Sequence, residues 1–100
     1  MTHKEYNGWT NYETWLVKLW IDNEQGSQDY WIERAEQNVK DDEDGDIRAL
    51  AEELKDQHEE MLPKLEGFAA DLMNAALSEV NWEEIANSLI EDAKQNLAEV

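Results

Sequence analysis

The stretch Asn7–Trp20, NGWTNYETWLVKLW, holds Trp9, Trp15 and Trp20, three of the five tryptophans in the chain. Gly8 is a turn residue and interrupts any helix before it. Thr10-Asn11-Tyr12-Glu13 has the form of a capping box. In such a box the Thr10 hydroxyl accepts from the Glu13 amide and the Glu13 carboxylate reaches back to the Thr10 amide. A helix is therefore expected to begin near Asn11. Trp15, Leu16, Leu19 and Trp20 recur at i, i+1, i+4 and i+5, one face of that helix. Trp9 is placed to pack on Thr14 or Trp15 as a hydrophobic staple. This aromatic head has two readings, a platform for a partner and an anchor of the core. Aromatic side chains carry the largest burial of any type. Trp9, Trp15, Trp20 and Trp31 are accordingly expected to serve the core before any partner.

Working outward, Met1–Asn7 has no period and reads as a loose arm. The first helix is expected over Asn11–Asn23, ended by Gly26 as a left-handed cap. Ser27 caps a second helix over Gln28–Lys40, with Tyr30, Trp31, Ala35 and Val39 on its apolar side. The short connection makes these two an aromatic N-terminal helical hairpin. Asp41–Asp46, five acids around Gly45, is an acidic loop. Asp46 caps a third helix over Ile47–Leu62, striped by Ile47, Leu50, Ala51, Leu54, Met61 and Leu62 and interrupted at Gln57 and His58. Pro63 disfavours helical geometry at Leu62, so a break or kink belongs there. A fourth helix over Lys64–Ser78 carries Leu65, Phe68, Ala69, Leu72, Met73, Ala76 and Leu77. It is apolar nearly all round, the pattern of the most buried helix. Asn81, with Glu84 three residues on, caps a fifth helix over Trp82–Ala98. No alternating strand pattern interrupts this series. The expected fold is all-α, a compact bundle of four to five helices in a single domain, 1–100.

Charge limits the function classes. The net charge is −17. It is spread unevenly: −3 over residues 1–40, −8 over 41–66 and −6 over 67–100. Seven of the nine aromatics precede residue 40, so a nearly neutral aromatic head meets a strongly acidic remainder. Such a field repels nucleic acid and anionic membrane and attracts basic surfaces. There is no cysteine, hence no disulfide, thiolate nucleophile or zinc–cysteine site. The N-terminus lacks an apolar signal region and no apolar run approaches ~18 residues. A cytoplasmic protein is expected.

The segment NGWTNYETWLVKLW with the following IDNEQG, together with ADLMNAALSEVNWEEIA over Ala70–Ala86, resembles a family of small acidic proteins of unknown function. They occur in bacteriophages, mobile elements and some haloarchaea. The resemblance implies an origin in phage or plasmid biology and carries over no catalytic residue.

Tests for chemistry return little. With Gly45 at the sixth position of an EF-hand loop, Lys40 and Ala51 fall where acids are required. No metal site is expected there beyond a weak, irregular one. His3 lies in the arm and His58 is expected as an exposed residue of an acidic helix. Ser27, Ser78 and Ser88 lie in no nucleophile arrangement. No catalytic residue and no cofactor is expected, so the chain reads as non-enzymatic. On the third helix Glu52, Asp56 and Glu60 rise about 6 Å per step. Phosphates two steps apart on a DNA strand rise about 6.8 Å. Asp42, Asp44, Glu52, Asp56, Glu59 and Glu60 thus form a candidate surface for a basic protein partner. Two functions remain side by side. One is a nucleic-acid-mimicking inhibitor of a basic DNA- or RNA-binding host defence protein, of anti-restriction or anti-CRISPR type. The other is a structural or adaptor module that uses its aromatic head, with acidity serving solubility or a halophilic source. Neither binds nucleic acid or membrane directly.

Overall fold

Short polar side chains set where three of the helices begin. Asn11 Oδ1 accepts from the Thr14 amide at 2.9 Å, Asp46 Oδ1 from the Ala49 amide at 3.0 Å, and Asn81 Oδ1 from the Glu84 amide at 3.1 Å. Each satisfies an amide that the first helical turn leaves without a partner. A computed structural model describes residues 5–98. These form α1 (Tyr12–Asn23), α2 (Gln25–Asp41), α3 (Ile47–Met61), α4 (Gly67–Ser78) and α5 (Trp82–Ala98). The protein is all-α, and the only bridge between extended segments among the described residues joins Tyr6 to Trp9.

Three local expectations are corrected. The cap of α1 is Asn11, not Thr10. Both residues are competent caps, and Asn11 wins because its oxygen accepts from the amide and the hydroxyl of Thr14 together. Gly26 is not a left-handed terminator and Ser27 is not a cap, because α2 already begins at Gln25. Glu24, extended at φ −110°, makes the corner alone. Finally, Tyr6 and Asn7 do not belong to a loose arm. Tyr6 and Trp9 exchange two backbone hydrogen bonds of 2.8 Å across Asn7-Gly8. Asn7 and Gly8 have φ of 47° and 88°, the left-handed pair of a type I′ turn. Residues 1–4 of the expected arm, including His3, lie outside the described residues.

The core is organised around α5, which packs on α2 and α3 and touches α1. Trp82, Ile85, Ala86, Leu89, Ile90 and Ala93 of α5 are all buried. They meet Ile21 of α1, Trp31 and Ala35 of α2, and Leu50, Ala51 and Leu54 of α3. The α2–α3 loop closes against this core at Gly45, where φ is +81°. A Cβ there would stand 2.7 Å from Ile90 Cγ2. Gly45→Ala therefore combines backbone strain with a clash. It is expected to cost about 1–3 kcal/mol in urea unfolding, and an unchanged midpoint would contradict the close approach.

The fourth helix overturns its expectation. No residue of α4 is buried, and Phe68 is 81% and Leu72 59% exposed. The chain does break at Pro63, with Leu62 extended at ψ 143°, and the connection runs non-helically to Gly67. That excursion carries α4 away from the core already filled by α5. Its half-buried Ala70 and Met73 line the Leu62–Leu65 connection instead, while Leu77 near its end packs against the core.

Candidate functional site

α1 is rotated from its expected setting. Thr14 and Ile21 are buried, Val17 packs beside them, and Trp20 is 67% exposed next to Ile21 at 1%. The reason lies in Thr14, a polar residue with no exposed surface. Its hydroxyl donates to Asn11 Oδ1 at 2.6 Å and accepts from the Asn81 amide at 2.8 Å. Around it, the Thr10 amide donates to Glu84 Oε1 at 2.9 Å and Asn11 Nδ2 to the Glu79 carbonyl at 2.6 Å. Asn81 Nδ2 donates to Thr10 Oγ1 at 3.2 Å. The carboxylate expected from Glu13 is thus supplied by Glu84, from the start of α5. The two sequence blocks, Asn7–Trp20 and Ala70–Ala86, meet in this polar junction. Their shared residue types serve to tie α1 to α5. Nothing in the local sequence signals a partner some seventy positions away.

The four head tryptophans take different places. Trp31 is buried, as expected. Trp9 is half-buried against the core. Trp15 is half-buried in a cluster with Tyr6 and Tyr12, at ring separations of 4.7 and 5.5 Å. Trp20 reverses its expectation and stands outside. It lines a cleft of about 440 Å³ between α1, α2 and α3. Ile21, Tyr30 and Trp31 form its inner wall, with Glu24, Gln57, His58 and Met61 around them. Tyr30 and Met61, expected in apolar stripes, are 44% and 72% exposed.

His58 is also corrected. It is half-buried, stacked on Trp31 at 5.8 Å and tilted against Trp82 at 5.5 Å. Its Nδ1 lies 2.7 Å from the Leu54 carbonyl. A carbonyl only accepts, so Nδ1 carries the proton. The interruption of the α3 stripe at His58 is therefore a core contact made by an imidazole.

Glu52, Asp56, Glu59 and Glu60 are exposed on the face of α3 opposite Leu50 and Leu54, and none forms an ion pair among the described residues. Asp42 and Asp44 are exposed in the preceding loop, where Asp42 Oδ1 accepts from the Asp44 amide at 3.2 Å. Glu53 is withdrawn from this face by Arg34 of α2, whose Nε and Nη2 donate to its two oxygens at 2.8 and 2.9 Å. That paired hydrogen bond, with the charge attraction beside it, holds the guanidinium above its ordinary pKa. Arg48 and Lys55 border the row, so the face is acidic with a basic edge. Among the described residues no helix is long and apolar enough to cross a membrane.

A family model matches residues 2–99, and the chain belongs to that family, described as a family of unknown function (DUF7249). No curated protein and no solved structure matches it.

Proposed function

We propose that this member of the family is a non-enzymatic interaction module for a basic protein partner. Trp20 and its neighbours anchor the partner, and the acidic field guides it in. The observation that carries the reading is Trp20, left 67% exposed while the fold buries the residue beside it. Large aromatics in this position are typical anchors of interfaces, and a grouped apolar surface on a highly charged protein marks an interaction site.

A second reading, nucleic-acid mimicry by a phage-encoded inhibitor of a host defence protein, is favoured by one observation. Glu52, Asp56, Glu59 and Glu60 of α3 share a single solvent face and stand without ion pairs among the described residues. The two readings separate when wild type, Trp20→Ala and a Glu52, Asp56, Glu59, Glu60→Gln variant are used as capture baits. Loss of the same partner from the Trp20 bait supports the anchor. Loss from the neutralised bait alone supports mimicry. Retention by both variants sinks both readings.

Exposed like charges repel and add little to folding. The neutralised variant is thus expected to melt within about 0.5 kcal/mol of wild type. Its association with the captured partner should slow by roughly 10-fold or more, with a flatter salt dependence. A rate unchanged in stopped-flow would show that this face does no steering.

A further inference from the structure

We infer that the cleft beside Trp20 is a site for an organic cation, the ammonium head of a lysine or the guanidinium of an arginine offered by the partner. This rests on the reading of Trp20 as an anchor and names the group that the anchor receives. The aromatic faces come first. Among the described residues Tyr6, Tyr12 and Trp15 contact one another, and Tyr30, Trp31, His58 and Trp82 form a second chain of ring contacts. Trp20 belongs to neither set, so no other ring among the described residues engages its indole, which is 67% exposed. It shares the cleft with Tyr30 and the buried Trp31, which puts three electron-rich rings around one volume. A cation over such faces is attracted by their quadrupoles, most strongly by tryptophan.

The polar groups point the same way. Among the described residues no lysine or arginine lines the cleft, while Glu24 does. His58 has its Nδ1 proton engaged by the Leu54 carbonyl, so that proton is not offered to the cleft. Met61 adds an exposed thioether, a further soft, polarisable surface. An anion would meet a carboxylate here within a chain of net charge −17. A metal ion is a poor fit, because no group of three or more His, Cys, Asp or Glu among the described residues is arranged to hold one. An organic cation satisfies the aromatic faces and the carboxylate together, and the field of the whole chain raises its local concentration.

The test follows the five indole N–H signals by NMR during titration with N-acetyl-arginine amide and with its neutral isostere N-acetyl-citrulline amide. The arginine probe is expected to shift the Trp20 signal saturably, at least about 3-fold more tightly than citrulline. Trp20→Leu, which keeps apolar bulk, should abolish the saturable shift of the one remaining indole of the cleft, Trp31, and Glu24→Gln should weaken binding by a few-fold. Equal response to both probes, or a Trp20→Leu titration like that of wild type, overturns the cation site. A deca-arginine peptide separates this failure from that of the wider reading. If it binds wild type and Trp20→Leu equally, the cation site falls and attraction to a basic partner stands. If it fails to bind wild type, both fall.

Discussion

Replacing Trp31 by alanine is expected to cost about 3–5 kcal/mol, the range for large aromatic truncations in a core. Trp31 is 4% exposed and joins three elements of the bundle. Its ring stacks on His58 of α3, meets Tyr30 edge-on, and belongs to the cluster built on α5. Truncation removes that contact area and leaves a void that the surrounding helices close only in part. His58 then loses the flat partner that holds one side of its ring, leaving Trp82 alone beside it. Against the 5–15 kcal/mol of total stability usual for a domain, the loss is severe. In a chain of this size it should lower the melting temperature by roughly 12 °C or more. Trp31→Phe, which keeps an aromatic ring, should recover a large part of the loss. A Trp31→Ala protein that unfolds within about 1 kcal/mol of wild type in urea would show that the core does not depend on this residue.

Thr14→Val should cost about 1–2 kcal/mol despite an almost unchanged side-chain volume. The physical reason is the asymmetry between forming a hydrogen bond and leaving one unmade. The Thr14 hydroxyl is the acceptor for the Asn81 amide and the donor to Asn11 Oδ1. Valine fills the space, leaves the Asn81 amide without its acceptor and leaves Asn11 Oδ1 with only the amide of residue 14. Thr14→Ser keeps the hydroxyl and sheds one methyl, so its cost should be about 0.8 kcal/mol from lost burial. Amide exchange at Asn81 should accelerate in the valine variant and much less in the serine one. A valine variant as stable as wild type, with the Asn81 amide still protected, would mean the junction between α1 and α5 is held by apolar packing alone.

Legibility in the sequence followed the range of the interactions involved. The starts of α3 and α5 were readable because Asp46 and Asn81 act on amides three residues away. The break at Pro63 was readable for a similarly local reason. The setting of α1 was not. Periodicity counts Thr14 as polar and Trp20 as apolar, yet the fold buries the first and exposes the second. What decides is the hydrogen bond from Asn81, sixty-seven positions away. The role of Glu84 in closing the turn at Thr10 is hidden for the same reason. The turn at Asn7-Gly8 did have a local signal, an Asn-Gly pair between aromatic residues, which marks a tight hairpin turn. For α4, the apolar pattern showed a helix able to be buried on any side. Whether a neighbour stands against it depends on where the Pro63 connection sends the chain. The acidic face was legible because charged residues opposite an apolar stripe have nowhere to go but solvent. The cleft was only half legible, since its aromatic residues were visible in sequence and their division between core and surface was not.

The aromatic residues divide into those that hold the fold, led by Trp31 and Trp82, and those left exposed, led by Trp20, which we propose as the anchor for a partner. The melting temperature of Trp20→Ser beside wild type tests this division most directly. An exposed indole whose loss costs under about 0.5 kcal/mol should leave the midpoint within roughly 4 °C of wild type. A fall of about 12 °C or more, as for a core tryptophan, would contradict it. It would return Trp20 to the interior and remove the anchor from the surface.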